Sequence, residues 1–313
     1  MDAITTEGLT KHYSTGFWRP RPYIALDSLT LQVARGEVFG FLGPNGAGKT
    51  TTLKLLRQLI FPTSGRAEIL GRPVGDADTR RRIGYLPENP YFYDNLTAEE
   101  LLEYFASLFG YGAADRRRRV SRLLDDVGIG RERRFQLRKY SKGMIQRVGL
   151  AQALLNDPEV VFLDEPMSGL DPIGRRDVRD MILRLRDRGT TVFFSSHILA
   201  DAETLCSRVA IVAAGRLIAA GNLADMVPFR LRGWDLVVMH LSDEVVRTLE
   251  QQGATATRIS VDRHHIVLPP DATPDAVIAN VSAIGGQLVS LNPVRDTLED
   301  FFVAQVAQQA RND

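Results

Sequence analysis

A glycine-rich stretch, GPNGAGKT at residues 43–50, carries the strongest chemical signal in the sequence. It fits the spacing G-x-x-x-x-G-K-[ST], follows the apolar run VFGFL and precedes a segment with helical spacing of apolar residues. Small residues let backbone N–H groups surround phosphate oxygens, and the following helix points its positive end at the same anion. Lys49 is predicted to reach the β- and γ-phosphates of a nucleotide, and the Thr50 hydroxyl to bind Mg²⁺. The residues predicted to form this phosphate site are Gly43, Pro44, Asn45, Gly46, Ala47, Gly48, Lys49, Thr50 and Thr51.

Two adjacent acids, Asp164 and Glu165, follow the apolar run VVFL at residues 160–163. A run of this kind predicts a buried strand, and ligands of α/β sheets bind beyond the carboxyl ends of such strands. Asp164 therefore suits the shell of a magnesium ion, and Glu165 is placed to orient and deprotonate an attacking water. A chance glycine turn or an ordinary acidic loop would explain either motif alone. Together the two motifs indicate a P-loop nucleoside triphosphatase.

The elements that must position these residues alternate between apolar strands and helices, which predicts an α/β fold with a mostly parallel sheet. Residues 1–35 are predicted to form strands, and residues 97–155 a helical subdomain. After residue 221 the predicted order is strand, helix, strand, strand, helix, strand, which is the ferredoxin-like order. We therefore expect one domain in residues 1–220 and a smaller α+β domain in residues 221–313.

Composition narrows the class of protein. The chain has 313 residues and a net charge of +1, so no overall field favours nucleic acid as a partner. Cys206 is the only cysteine, which excludes an internal disulfide and a cysteine-based zinc site. The sequence predicts no secretory signal, and no uncharged apolar run reaches the ~18 residues that span a bilayer. If the protein works at a membrane, we expect another chain to cross it.

A third motif, YSKGMIQR at residues 140–147, lies shortly before the Asp-Glu pair. It resembles the signature motif of ABC-type ATPases, LSGGQ followed by x-Q-R. Ser141 and Gly143 match this motif, whereas Lys142 and Met144 stand where a glycine and a glutamine are usual. Ser141 is also suited to cap the helix that follows. The resemblance implies that this helix end is presented to the γ-phosphate held by a second ATPase subunit.

Other positions fit the same family. SGLD at residues 168–171 resembles the D-loop, which assigns Asp171 to the nucleotide site. His197 resembles the switch histidine that contacts the γ-phosphate; a surface histidine at a strand end is the alternative. Tyr13 resembles the aromatic residue that stacks on adenine, unless it is a core strand tyrosine. Its rivals are Phe17, Trp18 and Tyr23, because the intervening loop is longer than usual.

Glu88, in GYLPENPYFYDNLT, stands where ABC ATPases carry a glutamine that reaches Mg²⁺ and the attacking water. The resemblance therefore implies that Glu88 lies at the nucleotide and binds the metal. A carboxylate can bind Mg²⁺, but it adds a negative charge near the γ-phosphate. The cluster of Tyr91, Phe92 and Tyr93 is predicted either to meet a coupling helix of a partner or to pack within the domain.

The resemblance covers roughly residues 3–220 and implies a RecA-like core with an antiparallel β region and a helical subdomain. Residues 221–313 resemble the accessory tail of ATPase subunits in ABC-2-type exporters, whose last helix matches TLEDFF. The implied activity is ATP hydrolysis with Mg²⁺, catalysed by Glu165, His197 and Lys49. The implied partners are a second, identical ATPase subunit and a membrane-spanning permease, which would hold the protein at the cytoplasmic face of the cell membrane.

Two other interpretations stay open at this point. One is a soluble ABC ATPase that acts on ribosomes or DNA, although the single phosphate loop and the absence of a long coiled coil argue against it. The other is a regulatory module, not coupled to transport, that binds ATP but hydrolyses it poorly. Glu165 and His197 argue against this module, whereas Glu88, Lys142 and Met144 keep it open. The sequence does not identify the transported cargo.

Overall fold

The computed structural model describes residues 2–15, 21–227, 231–251, 253–283 and 285–312. By its internal contacts the chain divides into two compact units. The first unit extends to Leu223 and includes the chain from Gln305 onward, and the second unit is Ala224–Ala304. None of the helices in the described ranges is both long and apolar enough to span a membrane.

The elements of the larger unit alternate as expected for an α/β fold. Its strands are β1 (Asp2–Thr15), β2 (Arg21–Ala34), β3 (Val38–Leu42), β4 (Ser64–Ile69), β5 (Arg72–Pro73), β6 (Ile83–Leu86), β7 (Val160–Asp164), β8 (Thr191–Ser196), β9 (Arg208–Ala213) and β10 (Arg216–Asn222). The helices up to residue 226 are α1 (Lys49–Leu56), α2 (Ala77–Arg80), α3 (Ala98–Leu108), α4 (Ala113–Asp126), α5 (Lys142–Ala153), α6 (Pro172–Asp187), α7 (Leu199–Leu205) and α8 (Leu223–Met226).

The central sheet of the described chain has six strands in the order β10-β9-β3-β8-β7-β6. β9, β3, β8, β7 and β6 run parallel, and only β10 is antiparallel to its neighbour. Every residue of β3, β7 and β8 is buried, as expected for a parallel sheet covered on both faces. The rings of Phe39, Phe41 and Phe162 lie with their centroids 5.4 to 5.7 Å from that of Phe193 and fill the core.

A second sheet of this unit is antiparallel, with the order β2-β1-β4-β5 in the described residues. Its long β1–β2 pair provides Leu26, Leu29 and Val33, which join the same buried core as the central sheet. This sheet is the antiparallel β region that the sequence analysis expected.

Helices α3, α4 and α5 fill the predicted helical segment. Thr97 caps α3 in a capping box with Glu100, which fixes where the helix begins. α4 buries Val120, Leu123 and Leu124 at helical spacing and leaves its arginine-rich face outside. A 3₁₀ turn, Leu137–Lys139, leads into α5 and is hydrogen-bonded back to the segment before α3, for example through Leu137 N to Leu96 O at 2.9 Å.

The second unit contains β11 (Leu231–Met239), α9 (Asp243–Gln251), β12 (Thr255–Ser260), β13 (Arg263–Leu268), α10 (Pro274–Ala283) and β14 (Gln287–Arg295), and α11 (Leu298–Asn312) follows. Its four strands pair antiparallel in the order β12-β13-β11-β14 within the described residues. The element order βαββαβ with this strand order is ferredoxin-like, which confirms the predicted fold of this region. Alternate residues of β11 and β13, such as Leu236 and Ile266, form a small separate core with Val281 of α10.

Candidate active site

Four neighbouring strands of the central sheet end at one edge and bring the predicted motifs together. The glycine loop follows β3, His197 follows β8, Glu165 follows β7, and Glu88 comes two residues after β6. These strands run parallel in the order β3-β8-β7-β6, so their carboxyl ends share an edge. Motifs separated by more than a hundred residues in the chain therefore meet in space, as expected for a ligand site in an α/β sheet.

A cavity of about 460 Å³ opens at this edge. Its volume is within the range of small-molecule sites. Tyr23, Ala25, Asn45, Gly46, Ala47, Gly48, Lys49, Thr50, Thr51, Glu88, Glu165, Ser168 and His197 line it. We call it the phosphate cavity, because it gathers most of the predicted phosphate residues with the two predicted catalytic side chains that follow β7 and β8.

Two glycines of the loop are required by backbone packing as well as by access to phosphate. A Cβ atom added to Gly43 would lie 2.1 Å from the carbonyl oxygen of Val212, and one added to Gly48 would lie 2.4 Å from that of Ala25. Gly48 also has a φ of 101° and directly precedes α1. Both distances are far below van der Waals contact, so the loop can lie against β9 and β2 only with glycine at these positions.

Lys49 is a buried cation at the start of α1. Its Nζ donates hydrogen bonds to the carbonyl oxygens of Gly43 at 2.8 Å and Pro44 at 3.2 Å. The same Nζ lies 3.3 Å from Oε1 of Glu165, in an ion pair with both side chains nearly fully buried. The structure thus holds the lysine inside the loop that is predicted to surround the phosphates.

Glu165 is held in a strained conformation that directs its carboxylate into the cavity. Its φ is 50°, a left-handed value that is uncommon for a residue with a side chain. Oε2 lies 2.7 Å from Nδ1 of His197. Oε1 is buried and has no hydrogen-bond partner in the described structure, although Lys49 balances its charge. A buried acceptor of this kind is suited to receive a hydrogen bond from a bound water or ligand.

Asp164, at the end of β7, is hydrogen-bonded to the cavity residue Thr50 and is itself buried. Its Oδ1 accepts hydrogen bonds from Oγ of Ser195 at 2.6 Å and from Oγ1 of Thr50 at 3.4 Å. Burial raises the pKa of Asp164, the bonds from Ser195 and Thr50 lower it, and the negative charges of Glu165 and Glu88 raise it further. Sequence reasoning missed Ser195, although its position in the run FFSSH, one strand away from the Asp-Glu pair, was a usable signal.

The signature residues lie in a different cavity of about 470 Å³, which we call the signature cavity. Its lining includes Ser141, Lys142, Gly143, Leu170 and Asp171. Ser141 caps α5 by accepting a hydrogen bond from Met144 N at 3.3 Å, as predicted. Asp171 caps α6 through Gly174 N at 2.7 Å and lines the signature cavity, not the phosphate cavity.

The aromatic candidates for adenine are separated by the structure. Tyr23 lines the phosphate cavity. Tyr13 is its register partner on β1 and is not among the lining residues; its ring lies 5.2 Å from Nζ of Lys11. Phe17 and Trp18 lie outside the described residues. Tyr23, a rival in the sequence analysis, is therefore placed better than Tyr13 to meet a base.

The aromatic cluster after Glu88 is divided by burial. Tyr91 and Tyr93 are 90% and 66% exposed, whereas Phe92 is only 8% exposed. Phe92 therefore packs within the domain, and the two tyrosines present their rings to solvent. Tyr104, Leu108 and Phe109, on and just after α3, are also exposed, so residues 91–109 carry a concentration of large apolar side chains on the surface.

Comparison with known proteins agrees with this geometry. The model of the ABC transporter family matches residues 26–168. The chain is 45% identical over 310 residues to an uncharacterized ABC transporter ATP-binding protein of Synechocystis sp., covering 98% of this chain and 86% of that protein. The chain belongs to the ABC transporter family of ATP-binding proteins. This ABC ATPase is also 35% identical to the bacitracin transport ATP-binding protein of Bacillus licheniformis, covering 96% of both chains.

Further relatives of this ABC ATPase extend the comparison. It is 37% identical to the daunorubicin resistance ATP-binding protein of Streptomyces coeruleorubidus, covering 96% of this chain and 95% of that one. The structure of an ATP-binding subunit of an ABC transporter superimposes with a TM-score of 0.64 at 33% identity, over 72% of this chain and 91% of that chain. A dimeric post-hydrolysis structure of an ATP-binding cassette with ADP and Pi gives a TM-score of 0.65 at 27% identity. The match covers 70% of this chain and 98% of that chain.

These comparisons confirm the family, the fold and the activity that the sequence motifs indicated. The protein is an ATP-binding and ATP-hydrolysing subunit of an ABC transporter, and its P-loop NTPase fold is that of the ABC cassettes. Subunits of this family generally act as dimers and generally work with membrane permeases.

Proposed function

We propose that two copies of this chain enclose ATP at their interface and drive export through a separate membrane-spanning permease. The observation that carries the proposal is the separation of the two cavities, which share no lining residue in the described chain. A chain arranged in this way can present Ser141 and Gly143 most readily to a nucleotide held by its partner. The relatives named for bacitracin transport and daunorubicin resistance support a role in transport. A Mycobacterium tuberculosis relative named for fluoroquinolones export, 40% identical over 74% of this chain, supports export as the direction.

Magnesium is the metal that the site residues fit. Thr50 and Asp164 supply a hydroxyl and a carboxylate oxygen 3.4 Å apart beside the phosphate cavity, and hard oxygen donors suit Mg²⁺. No group of three or more His, Cys, Asp or Glu side chains forms a metal site in the described ranges, so phosphate oxygens and water would complete the coordination. Glu88 lines the same cavity and is a further oxygen donor. When bound, Mg²⁺ neutralises charge on the β- and γ-phosphate oxygens.

The side chains of the cavity divide the chemistry of hydrolysis among them. Lys49 binds the γ-phosphate from within the loop, where the backbone N–H groups and the start of α1 also face the anion. Glu165 orients a water through Oε1 and accepts its proton as the water oxygen attacks the γ-phosphorus and ADP leaves. His197, 2.7 Å from Oε2 of Glu165, fixes the direction of this carboxylate. Tyr23 is positioned for the base, and Ser141 and Gly143 of the partner complete the contacts to the γ-phosphate.

Glu88 adds a carboxylate where the family carries an amide, and its charge reaches Asp164. We expect Glu88→Gln to keep turnover but to raise the Mg²⁺ concentration needed for half-maximal activity, because a neutral amide attracts the cation less strongly than a carboxylate does. Glu88 is exposed, so the change in kcat is expected to be within about threefold. A Mg²⁺ titration of ATPase rate at fixed ATP measures both quantities. Loss of turnover in the variant would show that Glu88 has a role that glutamine cannot fill.

The exposed tyrosines provide the surface for the permease in this proposal. Tyr91 and Tyr93 follow Glu88 by three and five residues, so a contact there would connect the nucleotide site to the membrane subunit through a few residues of backbone. Large exposed aromatic side chains are typical of protein interfaces. Bound in this way, the ATPase lies against the cytoplasmic face of the membrane.

We expect the double variant Tyr91→Ser and Tyr93→Ser to hydrolyse ATP normally. The amount of it that sediments with membranes containing its permease should fall. The loss should be at least about tenfold, since central aromatic contacts often contribute 2 kcal/mol or more. Ile259→Ser, which changes an exposed apolar residue of β12 in the second unit, is the matched control. Equal recovery of wild type and double variant would exclude this surface as the permease contact.

A further inference from the structure

A partly buried ion pair joins the helix after the D-loop to the helix after His197. Asp201 lies in the first turn of α7 and is only 5% exposed. Its Oδ2 accepts a hydrogen bond from the guanidinium of Arg175, on α6, at 3.3 Å. Arg179, one turn further along α6, adds a second positive charge facing Asp201, and its buried Nε has no hydrogen-bond partner in the described chain. Two arginines of α6 therefore interact with the carboxylate of Asp201.

The two ends of this ion pair are close to functional segments. Arg175 N bonds to the carbonyl oxygen of Asp171, so Arg175 belongs to the first turn of the helix that the D-loop begins. Asp201 lies four residues after His197, and its N–H bonds to the carbonyl oxygen of Ile198. Burial raises the pKa of Asp201, and the positive charges of Arg175 and Arg179 lower it. The negative charge of Glu165 raises it as well, so the two carboxylates interact electrostatically.

We infer that Asp201 is a positioning residue for ATP hydrolysis: its ion pair with Arg175 holds the His197 segment against α6 and thereby orients Glu165. Ion pairs add little net stability, whether exposed or buried, so a gain in stability does not explain why the fold contains this partly buried one. Geometry explains it better, because a guanidinium N–H donates to a carboxylate oxygen only over a limited range of distances and angles. The inference rests on the roles proposed above for Glu165 and His197.

If Asp201 acts by positioning other residues, its replacement should change kcat and leave the KM for ATP nearly unchanged. Asp201 is not among the lining residues of the phosphate cavity, so its loss should leave ATP binding nearly unchanged. Displacement of His197 and Glu165 by a fraction of an ångström should instead lower kcat. We expect Asp201→Asn to reduce kcat about tenfold with the KM for ATP within about twofold, and Asp201→Glu to restore most of the rate.

Glu37→Gln is the matched control, because it removes a similarly buried pair with Arg208, 2.9 Å long, at the other end of β3. Steady-state ATPase assays and thermal melting of the full chain measure all variants. Wild-type kcat in Asp201→Asn overturns the inference, as does an equal fall of kcat and melting temperature in Asp201→Asn and Glu37→Gln. If Asp201→Asn does not fold, the same criteria apply to Arg175→Gln, whose side chain is about a third exposed. If Glu165→Gln abolishes hydrolysis but Asp201→Asn does not slow it, this inference fails and the proposed function stands.

Discussion

Replacing Glu165 by glutamine should lower kcat roughly a hundredfold or more, because a positioned general base typically contributes 10²–10⁴ to the rate. Glutamine has nearly the same size and can still meet Nδ1 of His197 through its amide. It cannot accept the proton of the attacking water at Oε1, the buried oxygen that lacks a hydrogen-bond partner in the described structure. The backbone of residue 165, with its φ of 50°, is not changed by the substitution.

ATP binding should survive the same substitution. The glycine loop, Lys49 and Thr50 are untouched, and removing a negative charge from the cavity favours the triphosphate. Since the γ-phosphate is then not cleaved, we expect the Glu165→Gln protein to accumulate as a dimer with ATP, whereas ADP should leave it monomeric. ATPase assays and size-exclusion chromatography with each nucleotide measure the two effects.

Glu159→Gln is the control for this prediction, since Glu159 directly precedes β7 and Glu165 directly follows it. Glu159 pairs with Arg82 at the amino ends of β7 and β6, whereas the phosphate cavity lies at the carboxyl ends of these strands. The Glu159→Gln variant should therefore have wild-type turnover. Full ATPase activity in Glu165→Gln would assign the base to another residue, and an ATP-independent dimer would contradict the proposed link between γ-phosphate and assembly.

The parts of this site that the sequence predicted are those fixed by local chemistry. The glycine loop, the Asp-Glu pair and the serine cap of α5 are each encoded within a few residues, and strand direction then brings the first two together. The ferredoxin-like order of strands and helices in the second unit could also be predicted from the sequence, because hydrophobic alternation and length distinguish its strands from its helices. These features can be predicted without knowing which residues distant in the chain are in contact.

The parts that the sequence did not predict depend on such distant contacts. Tyr13 and Tyr23 are equivalent as aromatic residues on paired strands, and only the fold places Tyr23 at the cavity. Phe92 and its neighbouring tyrosines form one cluster in sequence, yet burial separates them. The need for glycine at position 43 comes partly from the carbonyl oxygen of Val212, 169 residues along the chain, and no local pattern carries that constraint.

Replacing Lys49 by methionine should weaken ATP binding itself, in contrast to Glu165→Gln. Methionine keeps the length of the side chain but removes the buried cation and its hydrogen-bond donors. A hydrogen bond to a charged group contributes ~1.5–3 kcal/mol, so the Kd for ATP should rise roughly ten- to a hundredfold. Hydrolysis should fall further, because the negative charge that develops on the γ-phosphate loses its stabilising partner.

Lys49→Met should also destabilise the fold, because it removes the ion pair between Lys49 and Glu165. Without Lys49, the carboxylate of Glu165 stays buried with its charge uncompensated at Oε1, and the carbonyl oxygens of Gly43 and Pro44 lose their donor. We therefore expect Lys49→Met to melt at a lower temperature than wild type, and the double variant Lys49→Met with Glu165→Gln to recover part of the loss.

Lys54→Met, on the exposed side of the same helix, is the matched control and should bind ATP as the wild type does. Nucleotide titration and thermal melting of these four proteins separate the two roles of Lys49. If the double variant regains stability but not ATP affinity, the lysine both balances the catalytic carboxylate and binds phosphate. If Lys49→Met binds ATP as tightly as Lys54→Met, the phosphate contact belongs to the loop backbone and the start of α1, and the assignment of Lys49 as a phosphate ligand is wrong.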